Sequence, residues 1–283
     1  MTNTYYLDSN NYDSLLLKLI DTIQRTADQH TLSIFLLGAT ARDIVMTTFH
    51  GAAQQRATLD VDFGICVSDW KAFETLKTSL IEQGFSAGKA AHRLVSPDRI
   101  LVDIVPYGEL STKGKVEWPP NGDIQMSVLG FTEASNAALL VNMPESGLCI
   151  KVASPVGITL LKLLSWAERD LTNRKKDAVD IAFLANNYYR LPMIETRSFE
   201  ESIVEMFDYN LQVAGAYCLG LDVIELASTE SNVVIDGILA RTHNKHGIEK
   251  FKEEANPISA SVQSLSEALD GVLNAFESGL RNK

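Results

Sequence analysis

One segment constrains the fold more than any other part of the sequence, residues 59–65 (Leu-Asp-Val-Asp-Phe-Gly-Ile). Apolar residues occupy every second position, and Asp60, Asp62 and Gly64 occupy the positions between them. This alternation predicts a β-strand that packs one face against a core. Both aspartates then lie on the other face, with side chains about two strand rises apart, roughly 6 to 7 Å. Taken alone, an Asp-x-Asp pattern is common on solvent-facing strands and does not identify a site.

A third carboxylate follows in a predicted hairpin. Residues 91–95 and 99–105 have the composition of two strands, and the turn-forming sequence Ser96-Pro-Asp joins them. In the second strand, Asp103 shares its face with apolar residues. That is an unfavourable environment for a carboxylate whose role is purely structural, so Asp103 is a candidate functional residue.

A glycine turn lies upstream of the aspartate strand. Residues 33–37 predict a buried strand that ends at Gly38, and a helix is predicted from Ala39 to about His50. At the start of such a helix, backbone amides and the hydroxyl of Thr40 can approach a phosphate group. The glycine turn and the later carboxylates are therefore interpreted together.

Three carboxylates on neighbouring strands suit phosphoryl transfer with a divalent metal. Magnesium prefers oxygen ligands, and two such ions can stabilise the attacking and leaving oxygens of an in-line displacement. We expect Asp60 and Asp62 to hold the metal nearer the triphosphate and Asp103 to share the second one. Asp103 would then act as the base for an acceptor hydroxyl, or lie next to that base.

The sequence changes character near residue 150, which predicts two domains. Residues 1–150 alternate strands and helices, beginning with an amphipathic helix over 12–29, whereas residues 151–283 are predicted to be helical. Ser154-Pro155 begins one helix, which carries Lys162 within a leucine stripe, and a second helix is predicted from about Lys175 to Tyr188. The last helix has apolar residues near heptad spacing and is expected to pack on its own domain. The cleft between the two domains is the expected ligand site.

Composition excludes some classes of protein. The net charge of −11 argues against a general basic surface that coats nucleic acid, and the basic residues of 169–176 are interpreted as a solvated helix junction. The N-terminus lacks the pattern of a signal peptide and no apolar run is long enough to span a membrane, so a cytoplasmic location is expected. Cys66, Cys149 and Cys218 lie among apolar neighbours and are expected to be buried free thiols.

The order of these motifs resembles a known superfamily. Gly38-Ala-Thr-Ala-Arg42, then residues 56–62 (Arg-Ala-Thr-Leu-Asp-Val-Asp), then Asp103 are similar to the DNA polymerase β-type nucleotidyltransferases. More narrowly, they resemble the AbiEii-type nucleotidyltransferases, the toxin halves of some bacterial toxin–antitoxin and abortive-infection systems. Residues 161–169 and 174–180 resemble the lysine-bearing helix of that family and its following Lys-Asp-x-x-Asp segment. The resemblance covers roughly residues 30 to 190.

This resemblance implies a fold and a set of roles. The fold class is α+β, a small mixed sheet flanked by helices and followed by an α-helical C-terminal domain that closes the nucleotide cleft. The substrate is a nucleoside triphosphate, with Mg²⁺ or Mn²⁺ as the metal, and pyrophosphate leaves. The metal-binding and catalytic residues are Asp60, Asp62 and Asp103. The nucleotide-binding residues are Gly38, Ala39, Thr40, Arg42, Lys162 and Asp177, where Asp177 either positions Lys162 or contacts the nucleotide.

Several roles stay open at this point. The second loop position is Ala39, where the superfamily commonly has serine or glycine, so Thr40 is the available hydroxyl. Arg42 and Arg56 either contact phosphate or brace the aspartate strand. His92-Arg93 lies beside Asp103 and could reach an acceptor. Asp180 either shares the role of Asp177 or lies on a helix surface.

The acceptor is also open. One hypothesis is transfer to RNA, including a tRNA 3′ end, or to a protein, in a toxin-like or defence role with a cognate antitoxin as partner. A second is modification of a small molecule such as an aminoglycoside, since an acidic chain suits a cationic acceptor. A third is a non-catalytic module that binds a nucleotide or a partner. The sequence does not fix the base or the oligomeric state.

Overall fold

The structure of the protein, a computed structural model, describes residues 4–54, 60–119, 122, 124–240, 246–256 and 263–282. The chain divides into two compact units. The first, here called the sheet unit, comprises residues 1–49 and 53–154; the second, the helical unit, comprises residues 50–52 and 155–283. Arg56, Thr58 and Leu59, which belong to the predicted motif, lie outside the described residues.

The sheet unit contains one mixed sheet and a separate hairpin. Its strands in chain order are β1 (Tyr5–Tyr6), β2 (Ser33–Leu37), β3 (Asp60–Cys66), β4 (Ser86–Ala87), β5 (Arg93–Val95), β6 (Leu101–Tyr107), β7 (Lys115–Trp118), β8 (Ile124–Ser127), β9 (Leu139–Met143) and β10 (Leu148–Val152). Eight of these form a sheet in the order β1-β9-β10-β2-β3-β6-β5-β4, and β7 pairs with β8.

The centre of the sheet carries the predicted strands. β2 runs antiparallel to β3, β3 runs parallel to β6, and β5 and β6 form the antiparallel hairpin expected around Ser96-Pro-Asp. On β3, Val61, Phe63 and Ile65 are buried, as the alternation predicts. The core of the unit lies behind this face of the sheet.

Helices flank the sheet. They are α1 (Ser14–Gln29), α2 (Gly38–Arg42), α3 (Trp70–Glu82) and α4 (Phe131–Asn136). The carboxylates of Asp13 and Asp69 accept backbone N–H groups at the starts of α1 and α3. The helix predicted from Ala39 to His50 is present, but it continues beyond α2 in wider π-helical turns over Asp43–Phe49.

The helical unit consists of α5 to α11 and short 3₁₀ turns among its described residues. Its helices are α5 (Pro155–Glu168), α6 (Lys175–Asn187), α7 (Pro192–Glu200), α8 (Leu211–Leu226), α9 (Thr229–Ala240), α10 (Ile248–Ala255) and α11 (Gln263–Arg281). A mixed sheet flanked by helices and followed by a helical C-terminal part confirms the predicted fold class.

The last helix packs closely against α8 within its own unit. A Cβ atom added at Gly220 would lie 2.7 Å from the backbone nitrogen of Leu280, so the two backbones are nearly in contact. Val272, Phe276 and Leu280 of α11 are buried in this arrangement. The expectation that α11 packs on its own domain agrees with these contacts.

The expectation of three buried thiols is wrong for two of them. Cys218 on α8 is buried, but Cys66 and Cys149 are exposed. Cys66 is the last residue of β3, where the core no longer covers the strand, and Cys149 points to the uncovered face of β10. Apolar sequence neighbours alternate across a strand, so they do not report which face a cysteine occupies.

Within the described part of the chain, no helix is both long enough and apolar enough to cross a membrane.

Candidate functional site

The three predicted aspartates lie together at one end of adjacent strands. The parallel register of β3 and β6 places Asp62 opposite Asp103, and Asp60 precedes Asp62 by two positions on the same face. One carboxylate oxygen from each of the three lies within 4.8 Å of the others. The strand alternation and the hairpin are what bring these side chains together.

Exposure differs among these aspartates. The side chain of Asp60 is 41% exposed, whereas that of Asp103 is only 10% exposed. The group of Asp60, Asp62 and Asp103, which combines a deep carboxylate with a more exposed one, is here called the acidic recess. Clustered carboxylate oxygens are the donors that hard divalent cations prefer, so the three residues fit Mg²⁺ or Mn²⁺.

The glycine turn lies directly against this recess. Gly38 has φ +71°, and a Cβ atom at this position would lie 2.9 Å from Cγ of Asp62. The antiparallel pairing of β2 and β3 aligns Leu37 with Asp62 and so brings the turn to the carboxylate. Only glycine combines this backbone conformation with the space that the carboxylate needs.

The residues after Gly38 are less accessible than a phosphate loop would suggest. Thr40 is almost completely buried, and its hydroxyl donates to the backbone carbonyl of Asp60 over 3.5 Å. Ala39 lies in the first turn of α2, a helix of five residues. These contacts connect the turn to the aspartate strand. The phosphate contacts assigned to Ala39 and Thr40 stay predictions.

Arg42 is also buried, with 1% of its surface exposed. Its Nε donates to Asp43 over 2.8 Å, and its Nη2 lies 2.7 Å from the same carboxylate. The structure therefore shows an ion pair at the end of α2. This partner is the next residue in the chain and does not lie on the aspartate strand. Both roles left open for Arg42, phosphate binding and bracing of the aspartate strand, stay predictions.

Arg93 lies beside Asp103, as expected, but the sequence analysis did not predict that the two side chains form an ion pair. Nε and Nη2 of Arg93 donate to the two carboxylate oxygens of Asp103 over 2.7 and 2.6 Å, and Nη2 lies 3.8 Å from Asp60. The hydrogen bond to Asp103 is the largest cause of a raised pKa for Arg93. The signal that would have found the pair is hairpin register, because counting outward from the turn aligns Arg93 with Asp103.

His92 lies beside the same carboxylate. Its Nε2 is 3.9 Å from Asp103, and its ring centroid is 5.9 Å from that of Trp118. Partial burial lowers the pKa of His92, an effect that the Asp103 charge opposes and the Arg93 charge reinforces. The expected proximity of His92 and Asp103 is thus confirmed.

The helical unit contains the second predicted group of site residues. Lys162 on α5 donates to Asp177 on α6 and also pairs with Asp180, both over 2.9 Å. Asp177 additionally accepts from Ser165 and Arg169, at 3.3 and 2.8 Å. Asp180 is buried, so it is a partner of Lys162 and not a helix-surface residue.

This cluster has a defined charge state. Burial acts to lower the pKa of Lys162, but the charges of Asp177 and Asp180 and their hydrogen bonds outweigh it, and the net pKa is raised. Lys162 is therefore a cation at neutral pH, held between two carboxylates. The nucleotide-binding role of Lys162 and Asp177 stays a prediction.

Comparison with known sequences identifies a family. The family model described as nucleotidyl transferase AbiEii toxin, type IV toxin–antitoxin system, matches residues 23–275, which is most of the chain. No curated protein matches the sequence.

The similarity of this chain to solved structures is weaker than its match to the family model. The antibiotic-resistance factor ANT(2'')-Ia in solution is 14% identical, with 70% of this chain and 100% of that chain covered and a TM-score of 0.38. An antigenic nucleotidyltransferase-like protein from Paracoccidioides brasiliensis is 18% identical, with 71% and 93% covered and a TM-score of 0.38. The Thermotoga maritima CCA-adding enzyme complexed with tRNA is 12% identical, with 96% and 82% covered and a TM-score of 0.26.

Proposed function

Because the chain belongs to the AbiEii family of nucleotidyl transferase toxins, we propose that it transfers a nucleotidyl group with a divalent metal held by Asp60, Asp62 and Asp103. The chain is a nucleotidyltransferase by family; the metal, the site residues and the acceptor are the proposal. One observation carries it: a carboxylate oxygen of each aspartate lies within 4.8 Å of the other two. Three converging carboxylate oxygens match the oxygen ligands that a hard divalent cation prefers.

The reaction has a simple balance of bonds. An acceptor hydroxyl oxygen attacks the α-phosphorus of a nucleoside triphosphate, a new P–O bond forms, and the bond to the departing pyrophosphate breaks. The hydroxyl proton passes to a base, and Asp103 is the carboxylate proposed to take it or to lie beside the group that does. Bound magnesium would supply charge neutralisation of the phosphates and polarisation of the reacting oxygens.

Residues of this chain prepare the site for that chemistry. Asp60 and Asp62 would hold the cation from β3, and the absence of a side chain at Gly38 leaves space for the Asp62 carboxylate. Thr40 ties the turn to the backbone of Asp60. The phosphate contacts of Ala39, Thr40 and Arg42 and the nucleotide contacts of Lys162 and Asp177 form part of the same proposal.

For the acceptor, we favour RNA, including a tRNA 3′ end, or a protein. The support is the toxin–antitoxin description of the family, and a cognate antitoxin is then the expected partner. A cationic small molecule is the second candidate, because the net charge of −11 attracts cations more readily than it attracts RNA. The cytoplasmic location stays a prediction from the sequence.

The test is a labelling experiment with three acceptor classes and one arm without an added acceptor. Each labelled nucleoside triphosphate is incubated with the protein and magnesium, together with total RNA, a protein extract, an aminoglycoside, or no addition. We expect label transfer by the wild type, loss on chelation of the metal, and a fall of at least about 100-fold in Asp62→Ala.

A matched control separates loss of the site from loss of a surface charge. Asp98 lies in an exposed turn of the sheet unit and pairs with Lys18 over 3.4 Å. Asp98→Ala should therefore keep wild-type transfer. Absence of transfer to every acceptor with every nucleotide, or equal activity in Asp62→Ala and the wild type, would contradict the proposal.

A further inference from the structure

The acidic recess already contains a positive charge, the guanidinium of Arg93. Its two hydrogen bonds of 2.7 and 2.6 Å occupy both carboxylate oxygens of Asp103, and its Nη2 also approaches Asp60 at 3.8 Å. A bidentate pair of this kind is stronger and more directional than a single contact. The carboxylate proposed as metal ligand and base is thus the one that Arg93 holds.

The chain is built to keep Arg93 there. β5 and β6 place Arg93 opposite Asp103, and the N–H of Gly88 donates to the Arg93 carbonyl over 2.8 Å. A Cβ atom at Gly88 would lie 2.6 Å from Cγ of Arg93, so the glycine leaves room for the arginine stem. Consistent with this support, only 32% of the Arg93 side chain is exposed.

The positive charge of Arg93 affects which cations the acidic recess can bind. An arginine guanidinium stays protonated at any pH at which proteins are folded, and Nη2 of Arg93 lies 2.6 Å from Asp103 and 3.8 Å from Asp60. Arg93 is therefore a permanent cation within reach of two of the three carboxylates. A divalent cation that enters the recess is repelled by this charge and competes with it for Asp103.

We propose that Arg93 is the built-in counter-cation of the Asp60–Asp62–Asp103 recess, a positioning residue that orients Asp103 and weakens divalent-metal binding. The inference rests on the proposed metal-dependent function. Each carboxylate oxygen of Asp103 accepts one hydrogen bond from Arg93 and keeps a second lone pair. A divalent cation therefore either takes such a lone pair or displaces one Arg93 hydrogen bond, and in both cases it binds against the charge of Arg93.

The test measures metal affinity directly. Mn²⁺ is titrated into the wild-type protein and into Arg93→Met, which removes the charge but keeps an apolar stem, with free Mn²⁺ followed by electron paramagnetic resonance. We expect the dissociation constant of Arg93→Met to be at least about tenfold lower than that of the wild type. Arg99→Met is the control, because Arg99 lies exposed in the turn of the same hairpin, and its affinity should stay within about twofold of the wild type.

Thermal unfolding provides a second readout. Without metal, Arg93→Met should melt below the wild type because three carboxylates repel one another, and Mn²⁺ should raise its melting temperature more than it raises that of the wild type. Where Arg93→Met does not fold, Arg93→Gln carries the same expectations. A folded Arg93 variant that binds Mn²⁺ no more tightly than the wild type overturns the inference.

The outcomes also separate this inference from the proposed function. Mn²⁺ binding that Asp62→Ala abolishes but that Arg93 variants leave unchanged would refute the counter-cation role and leave the metal site standing. Mn²⁺ binding in Arg93→Met but not in the wild type would support the inference most strongly. Absence of binding in both proteins would overturn both proposals.

Discussion

Gly38 touches the carboxylate of Asp62 across the β2–β3 pairing, and the space of a side chain at position 38 is filled by that carboxylate. Gly38 has φ +71°, and an added Cβ atom would be 3.1 Å from Cβ of Asp62 and closer still to its carboxylate. The glycine is thus required twice, by its backbone conformation and by its neighbour. The two requirements can be separated by substitution.

Gly38→Ala should displace the Asp62 carboxylate and abolish most activity. Strain from the left-handed backbone alone should lower the free energy of unfolding by about 1 kcal/mol. Gly147→Ala is the matched control, because Gly147 also has φ +71° but has nothing within 4 Å of an added Cβ. We expect both variants to lose similar stability from that strain. Only Gly38→Ala should also lose Mn²⁺ binding and nucleotidyl transfer. Wild-type Mn²⁺ binding by Gly38→Ala would refute the role of the contact between position 38 and Asp62.

Removing the cation between Asp177 and Asp180 should destabilise the helical unit. Lys162→Met leaves two buried carboxylates without their shared lysine, and breaking such a pair costs about 3 kcal/mol or more. Chemical denaturation measures this loss. Lys250→Met is the control, because Lys250 pairs with the exposed Glu253 and should cost less than about 1 kcal/mol.

A double substitution tests whether buried charge is the cause. Arg169 still pairs with Asp177 in Lys162→Met, so Asp180→Asn added to Lys162→Met removes the other carboxylate charge that Lys162 balanced, and part of the lost stability should return. Equal stability of the single and double variants would show that packing of the lysine stem, and not charge, accounts for the loss.

Glu254 is predicted to make folding stability depend on acid pH. Its carboxylate accepts from Nη2 of the buried Arg174 over 2.8 Å and from Nε1 of Trp166 over 2.9 Å. Burial acts to raise the pKa of Glu254, but these hydrogen bonds and the Arg174 charge outweigh it, and the net pKa lies below 4.5. The stabilisation is therefore complete above pH 4.5 and is lost as the pH falls through the lowered pKa.

Glu254→Gln should cost about 3 kcal/mol at pH 7, because Arg174 is left as a buried charge without its partner. Below pH 4.5 the difference from the wild type should shrink, since the Glu254 carboxylate then takes up a proton in the unfolded state and, as the pH falls through the lowered pKa, in the folded state as well. Urea unfolding at a series of pH values measures this difference in stability. Glu253→Gln, a surface change, should cost about 0.5 kcal/mol or less at every pH; a pH-independent difference for Glu254→Gln would contradict the assignment.

The sequence predicted the acidic recess because two simple rules act on it. The alternation of apolar and polar residues predicted that Asp60 and Asp62 share one face of β3, and the turn sequence Ser96-Pro-Asp predicted the hairpin whose second strand carries Asp103. The Arg93 pairing followed from the same hairpin but needed its exact register, which composition does not provide. β7 and β8 were not predicted because each has only four residues, too few for a clear alternation of apolar and polar positions.

The burial of Asp177 and Asp180 was the other feature that the hydrophobic periodicity of the sequence could not predict. Helix α6 is buried on most of its surface, including Asp177 and Asp180, so it lacks the single apolar stripe from which an inner face is inferred. Its aspartates lie inside because Lys162 reaches them from α5. Such a pairing depends on two helices at once, and neither helix reveals it alone.

The contact between α8 and α11 predicts that two glycine-to-alanine substitutions in α11 change the free energy of unfolding in opposite directions. A Cβ atom at Gly279 would lie 2.9 Å from Cα of Gly220, whereas at Gly271, two turns earlier, it would meet nothing within 4 Å. Gly279→Ala should therefore force the helices apart and cost about 1–3 kcal/mol. Gly271→Ala should instead stabilise by up to about 1 kcal/mol through helix propensity. Thermal and urea unfolding of both variants measure the signs, and stabilisation by Gly279→Ala would show that the helices do not pack this closely.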